Sequence, residues 1–339
     1  MDGILIIKLG AIGDVLRTTV ILSGLKEKCN LPIFWVTRRE SVDILRTNPL
    51  ITETFVLDNE LNEKLTGKRF ELIINLDDED EACLLASTLN SKKIIGTYMV
   101  NGGKKYTKDS AQWFDMGLIS RFGKSRADEL KKLNKKTYQQ HLYEILKIRP
   151  DKIILNLGKK ELEFARKFAE KNSITRGDLL VGLNTSAGNR WQLKSLTIEK
   201  TSELADKLAE ELNAKILLFG GKEESDRNEK IKKASKAGII DAGCENSLLE
   251  FASLINLCDI LVTSDSLAMH IATALKKRVV VFFGPTSSAE IELYGLGKKV
   301  VSGIDCVCCY KKECDKAPNC VDTLKVEDIV DVAKEIAKK

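Results

Sequence analysis

Short unbroken apolar runs alternate along this chain with longer stretches whose apolar residues recur three and four positions apart. The runs Gly3–Leu9, Ile33–Val36 and Phe70–Leu76 read as strands, with Val15, Leu16, Val20, Ile21 and Leu25 forming one face of a helix after the first. Further helices are expected near Ser41–Arg46 and Asp80–Ser87. A run without polar alternation is buried on both faces, which calls for a parallel sheet covered by helices on each side. The rhythm breaks from Met99 to Arg149, where Gly102-Gly103, many basic residues, Trp113 and Phe114 suggest helices and loops layered on a first domain. Pro150 opens a linker, and a helix over Lys159–Lys171 leads towards a second unit. There the alternation resumes, with strands over Leu179–Leu183, Lys215–Phe219, Ile239–Asp241, Asp259–Val262 and Arg278–Phe283. Helices over Ile198–Leu212, Glu224–Ser235, Ser247–Leu257 and Leu267–Leu275 lie between them. The fold class is therefore α/β, with two doubly wound Rossmann-like domains facing across a cleft. Their expected bounds are 1–158 and 159–324, the latter including a cysteine-rich loop at 306–320, followed by a C-terminal helix at 325–339.

A content of 43% hydrophobic and 30% charged residues over 339 positions suffices for two cores and excludes a disordered chain. The net charge of +5 is mild, pointing to an anionic small molecule or membrane surface and away from nucleic acid. No apolar stretch approaches the roughly 20 residues that span a bilayer, and the start lacks the basic region and cleavage site of a signal peptide. A cytoplasmic location is expected, with peripheral contact at the inner face of the membrane. Nine cysteines without an export signal imply reduced thiols. Cys29, Cys83, Cys244 and Cys258 sit in apolar periodic segments and read as core fillers.

Candidate chemistry gathers where strands give way to helices. Gly10-x-x-Gly13-Asp14 ends the first strand, so a ligand could approach backbone amides there, with Asp14 at the helix start; plain helix capping is the alternative. Asn184 to Lys194 joins small hydroxyl residues, Thr185 and Ser186, to two cations, Arg190 and Lys194, which suits a diphosphate. Gly220-Gly221 followed by Glu224 could meet ribose hydroxyls. Asp265, Ser266 and His270 stand at one strand–helix junction, and Gly284-Pro285-Thr286 closes the next strand. The acidic run Asp77-Asp-Glu-Asp80 reads as a solvated helix start that complements the dipole, in preference to a cation site. Basic and aromatic residues from Gly102 to Lys136 could meet a phosphorylated lipid headgroup or form a solvated helical face. Cys306, Cys309, Cys314 and Cys320, with Cys308 between, have a spacing that admits a tetrathiolate metal site, an iron–sulfur cluster or a reduced structural loop.

Jointly, Ile4 to Leu16 with Thr18-Thr19, Gly188-Asn-Arg-Trp191 with Lys194, Asp265-Ser-x-x-x-His270, Phe283-Gly-Pro-Thr286, Glu290 to Gly295 and the terminal cysteines resemble glycosyltransferase family 9, the ADP-heptose:lipopolysaccharide heptosyltransferases. The resemblance covers nearly the whole chain. It implies a GT-B fold and an inverting transfer of a sugar, heptose, from a nucleotide-diphosphate sugar to a lipid-linked or glycan acceptor of the lipopolysaccharide inner core. No cofactor and no metal are implied for the reaction. Asp14 matches the family's proposed base and Lys194 the lysine on the donor phosphates. Thr185 and Ser186 fall near its phosphate-contacting hydroxyls, Glu224 near its ribose carboxylate, and Asn246 to Leu248 near its base-contacting segment. The loop Asp265-Ser266-Leu267-Ala268 with His270 matches the donor-sugar and phosphate loop, joined by Gly284 and Thr286. Gly10, Gly13 and Thr18 fall on the acceptor side. This chain departs from the family at Leu267, where a glycine is frequent, and at Ser195-Leu-Thr197 in place of Arg-Trp-Pro; both changes touch the donor side. A nucleotide-sugar epimerase of similar fold and a non-catalytic metal- or thiol-sensing protein remain as other readings. A Rossmann dehydrogenase is disfavoured, because the first glycine loop is not Gly-x-Gly-x-x-Gly.

Overall fold

Five consecutive buried residues, Gly3–Ile7, form β1, and β2 beside it, Ile33–Thr37, is likewise buried throughout. The computed structural model describes residues 3–338, with backbone alone at 189 and 190. By contact density the chain divides into two units. One runs to Asn156 and takes in Ala289–Glu292; the other holds Leu157–Ser288 and the residues from Leu293 onward.

In the first unit β3 (Glu53–Val56), β4 (Phe70–Asn75), β5 (Ile94–Val100) and β6 (Gly103–Tyr106) complete a sheet of order β3-β2-β1-β4-β5-β6. All neighbours are parallel except the β5–β6 hairpin. Leu5, Ile7, Val36, Phe55, Phe70 and Ile73 pack with Ala82, Leu85 and Ala86 of the helix Asp80–Thr88 into one apolar cluster. Each such side chain, taken out of water, contributes roughly 1.5–3 kcal/mol. Gly96 is required where β5 passes β4, since its φ is +104° and a Cβ there would stand 1.8 Å from the Asn75 carbonyl oxygen. Chain order runs β1, β2, β3 to one side and then returns to β4 on the other. The loops leaving β1 and β4 therefore part at a switch point.

The second unit repeats this plan. Its strands β7 (Leu179–Asn184), β8 (Ala214–Leu218), β9 (Ile240–Asp241), β10 (Ile260–Ser264), β11 (Arg278–Phe283) and β12 (Gly297–Val301) lie in the order β12-β11-β10-β7-β8-β9, all parallel. The switch point falls between β7 and β10. The final helix, Val326–Ala337, buries Val326, Ile329, Val330, Ala333 and Ile336, a spacing of three and four that lays one face on the core. Arg278 donates to the Ile336 and Ala337 carbonyls at 3.0 and 3.1 Å, satisfying groups the helix end leaves open. The helix Ile198–Leu212 starts at Thr197, whose side chain accepts from the Lys200 amide, and stops at Asn213 in the left-handed region.

β3, β5, β6 and β12 were not expected from the hydrophobic pattern. The expected first strand is also two residues longer than β1. Among the described residues no helix is long and apolar enough to cross a membrane.

Candidate functional site

Parallel strands deliver all their outgoing loops to one edge of a sheet, and in the second unit the expected donor-side residues collect on that edge. At the switch point the loop after β7 diverges from the loop after β10, and Lys194 bridges them. Its Nζ donates to the Asp265 carboxylate at 2.9 Å and to the Asp265 carbonyl at 3.0 Å. Both side chains retain a little exposure, 13% and 17%. An ammonium carries three donors, so one remains for a ligand. Lys194 also lies 5.2 Å from the centre of the Trp191 ring, within cation–π range. Alongside, Asn184 Nδ2 donates to the Thr263 and Ser266 hydroxyls at 3.4 Å, and those two hydroxyls stand 3.0 Å apart. Burial alone would raise the Asp265 carboxyl pKa, but the Lys194 charge, then His270 and the hydrogen bond from Lys194, hold it below its ordinary value. Asp265 is thus an anion at neutral pH, and His270 and Thr286 belong to its surroundings. Ser266 is the residue before the helix Leu267–Ala274, in which Ala268 and His270 are buried.

Glu224 organises the neighbouring loops. Its Oε1 accepts from Ser186 Oγ at 3.1 Å and from the Gly188 amide at 2.9 Å, while Oε2 accepts from the Gly221 amide at 2.7 Å. A carboxylate has about four acceptor positions, so roughly one is left. Asn246 Nδ2 donates to the Ala242 and Gly243 carbonyls at 2.8 and 3.1 Å, fixing the turn after β9. Leu248 begins the next helix, which Ser247 and Glu250 cap reciprocally. Gly284 is needed at the end of β11, because a Cβ there would lie 3.0 Å from the Leu193 carbonyl oxygen and from Cys320 Sγ.

Thr185 stands apart from this group. Only 1% exposed, its Oγ1 is within 3.2 Å of Arg227 Nη2 and accepts from the Thr201 hydroxyl at 3.1 Å, behind the loop and away from its open side. Arg227 also donates to the Leu196 carbonyl at 2.8 Å. Burial lowers the pKa of this guanidinium, and Glu224 opposes the shift. The side chain of Arg190 lies outside the described residues.

The first unit carries a second polar cluster at its own switch point. Lys8 Nζ donates to Asp77 Oδ1 at 2.6 Å and to the Leu76 carbonyl at 3.3 Å, and the Leu9 amide donates to Asp77 Oδ2. Burial would lower the Lys8 pKa, yet Asp77, then Tyr138 and Asp14, hold it well above the lysine range. Asp77 is therefore a buried counterion, and the expectation that Asp77 to Asp80 form a solvated helix start is corrected at its first member. The helix itself begins at Asp80. Asp14, its side chain 36% exposed, pairs with Arg17 at 2.7 Å. The Arg17 guanidinium lies 4.0 Å from the centre of the Tyr138 ring. Thr18 is fully buried, donating to the Asp14 carbonyl at 2.6 Å and lying 2.8 Å from the Tyr138 hydroxyl. Asp14 and Thr18 both belong to the short helix Ile12–Thr18, which the Thr18 contact ties to Tyr138. Gly13 is buried in the same helix, whereas a Cβ at Gly10 would meet nothing within 4 Å.

Lys8, Asp77, Arg17, Tyr138 and Arg227 were not among the expected site residues. A signal existed for the first two: a lone lysine at the end of a buried apolar run needs a counterion, and Asp77 directly follows another such run. In the basic stretch, Lys104 pairs with Asp80, Arg121 with Asp115, Lys124 with Asp128, Arg126 with Glu129 and Lys136 with Glu144. Much of its positive charge is thereby answered locally.

Residues 124–319 match the family model described as glycosyltransferase family 9 (heptosyltransferase). Lipooligosaccharide heptosyltransferase 2 of Campylobacter jejuni is 26% identical over 193 residues, 52% of this chain; the chain spans only 57% of that relative's length. Among solved structures, a family 9 glycosyl transferase from Veillonella parvula aligns with a TM-score of 0.78 at 18% identity, covering 99% of this chain and 97% of its own. The E. coli ADP-heptose heptosyltransferase II aligns with a TM-score of 0.67 at 16% identity, covering 98% of each chain. At these identities the structural likeness concerns the fold, which is α/β of the GT-B type.

Proposed function

The chain belongs to glycosyltransferase family 9, and from that premise we propose that it transfers heptose from ADP-heptose to a lipid-linked acceptor of the lipopolysaccharide inner core, with inversion. The carrying observation is the Lys194–Asp265 pair at the switch point of the second unit, on loops that also carry the Ser186, Ser266 and Thr286 hydroxyls. In this reading the spare Lys194 donor and those hydroxyls hold the diphosphate. The remaining acceptor position on Glu224 takes a ribose hydroxyl, and Asn246 to Leu248 border the base. Asp14 takes the proton of the acceptor hydroxyl as its oxygen attacks the anomeric carbon. The bond to the diphosphate breaks with its electron pair on the phosphate oxygen, and attack from the opposite face inverts the centre.

Charge developing on the departing diphosphate is met by Lys194 and neutral donors, so turnover is expected to be equal with and without added magnesium. Asp14→Asn should lower kcat by about 10²- to 10⁴-fold with little change in donor KM. Release of ADP from ADP-heptose that depends on added inner-core acceptor is the decisive assay. No turnover with any nucleotide heptose would overturn the proposal, and acceptor-independent release would favour the epimerase reading.

A lipid-linked acceptor places the reaction at a membrane surface. We assign contact with an anionic surface to exposed Leu118, Phe122 and Leu133, 93%, 52% and 67% exposed beside the basic stretch. Leu118→Ser with Phe122→Ser should reduce co-sedimentation with anionic vesicles; unchanged binding removes the assignment.

A further inference from the structure

A buried tyrosine needs a partner for its hydroxyl, and Tyr138 is only 2% exposed. It opens the helix Tyr138–Leu146, which Thr137 and Gln140 cap reciprocally, and its amide donates to the Glu290 carbonyl at 3.0 Å. The Trp113 ring packs against its own at 67°, with centroids 4.9 Å apart. Backbone and ring are thus both held within the first unit. Burial raises the phenol pKa, so the hydroxyl keeps its proton.

From that fixed point Tyr138 reaches Asp14 by two routes. The first runs through a cation: the Arg17 guanidinium lies 4.0 Å from the centre of the Tyr138 ring, and its Nη2 is 2.7 Å from Asp14 Oδ1. The second runs through hydroxyls. Thr18 gives its single proton to the Asp14 carbonyl at 2.6 Å, so the Tyr138 hydroxyl, 2.8 Å from Thr18 Oγ1, is the donor in that contact. One route meets the carboxylate of Asp14 and the other its backbone. An arginine side chain is long and has many rotamers, and stacking its planar group on a buried ring restricts them. A base that must meet a hydroxyl proton at hydrogen-bond distance loses rate when its placement is loose. We propose that Tyr138 is a positioning residue for Asp14, setting its carboxylate through Arg17 and its backbone through Thr18. This role presupposes the Asp14 base proposed above. Filling the core would call for a large apolar side chain at 138, and for neither the stacked cation nor the chain of hydroxyls.

Acceptor-dependent ADP release from ADP-heptose by the full-length protein tests the role, with Tm as the check on folding. Tyr138→Leu should lower kcat about 10²-fold and leave the KM for ADP-heptose unchanged, since the residues proposed to hold the donor belong to the second unit. Tyr138→Phe keeps the ring beside Arg17 and should recover at least about 10-fold of that loss. Arg17→Met should lower kcat at least about 10-fold, and combining it with Tyr138→Leu should cost little more than Tyr138→Leu alone, because both break one link. Losses that multiply in the double variant would overturn the proposal, as would a parent-like kcat in folded Tyr138→Leu. Should Tyr138→Leu fail to fold, Arg17→Met carries the test: a parent-like kcat, or a loss confined to the acceptor KM, would overturn the proposal. Unimpaired turnover in Asp14→Asn would remove the base and this role with it, whereas a slow Asp14→Asn beside a fast Arg17→Met would remove the role alone.

Discussion

The two units place a lysine–aspartate pair at the same topological position, joining the loop after their first strand to the loop after their fourth, and use it in opposite ways. In the first, Lys8 and Asp77 are each 9% exposed, and the carboxylate also receives the Leu9 amide while the ammonium reaches the Leu76 carbonyl. Two further partners within the protein hold that pair, its deeper burial leaves little for a ligand, and its effect is to fix the end of β1 and thus the approach to the helix that carries Asp14. In the second, both hydrogen bonds of Lys194 go to Asp265, its ammonium borders an aromatic ring, and the pair keeps more exposure. Duplicated topology supplies the location, and burial decides whether the polar pair there becomes scaffold or site.

Removing Asp77 tests this most severely. Asp77→Ala strands a buried ammonium, and denaturant unfolding should show a loss of about 3–5 kcal/mol. Combining Lys8→Met with Asp77→Leu should recover most of it, short of about 1 kcal/mol for the Leu9 hydrogen bond. An unchanged Asp77→Ala midpoint would erase the distinction between the pairs. Lys194→Ala is the mirror experiment. Its stability cost should be smaller, about 1–3 kcal/mol for a carboxylate left without its partner, whereas kcat in the ADP-release assay should fall about 10²- to 10³-fold. A protein that unfolds on losing Lys194 would place that pair with the scaffold.

The two histidines extend the comparison. His270 faces Asp265, while His141 sits in the first unit, 3.1 Å from Asn134 Oδ1 and beside Trp113. Burial, aided by the Lys136 charge and opposed by Glu144, lowers the His141 pKa from 6.5 to about 4. Between those values the unfolded chain binds a proton that the folded chain refuses. Stability should therefore fall as pH drops from 6.5 towards 4, by at most about 1.4 kcal/mol per pH unit from this group. Unfolding measured across that window should flatten in His141→Gln.

What the hydrophobic pattern revealed, and what it hid, follows the same division by burial. Central strands such as β7, β8, β10 and β11 were legible to within a residue or two, because a strand sealed on both faces has no room for polar residues. The strands it missed lie at or beside sheet edges: β12 carries Lys298 and Lys299, β6 carries Lys104 and Lys105, and β3 is only half-buried. An edge needs charge to discourage further pairing, and that charge conceals the strand. The residues proposed for the donor side could be singled out because most follow the end of a readable strand. Lys8 with Asp77, and Thr185 with Arg227, went unread: a lysine ending an apolar run signals that a counterion is needed, but pairing across 69 and 42 positions does not say which residue supplies it.

Thr185 provides the smallest and sharpest test, because it carries the scaffold–site boundary into the second unit. Its position beside Ser186 suggested a phosphate contact, but successive residues leaving a strand point to opposite sides, and the two hydroxyls part accordingly. Ser186 turns to Glu224 on the loop side, and Thr185 to Arg227 and Thr201 in the layer behind. Thr185→Val keeps the volume and removes the acceptor, while Arg227 retains the Leu196 carbonyl and the Thr201 hydroxyl. The cost should be about 1 kcal/mol in unfolding, with the KM for ADP-heptose unchanged. Ser186→Ala should do the reverse, raising KM at nearly constant stability. A raised KM in Thr185→Val would move the boundary one residue towards β7 and make Arg227 part of the donor site.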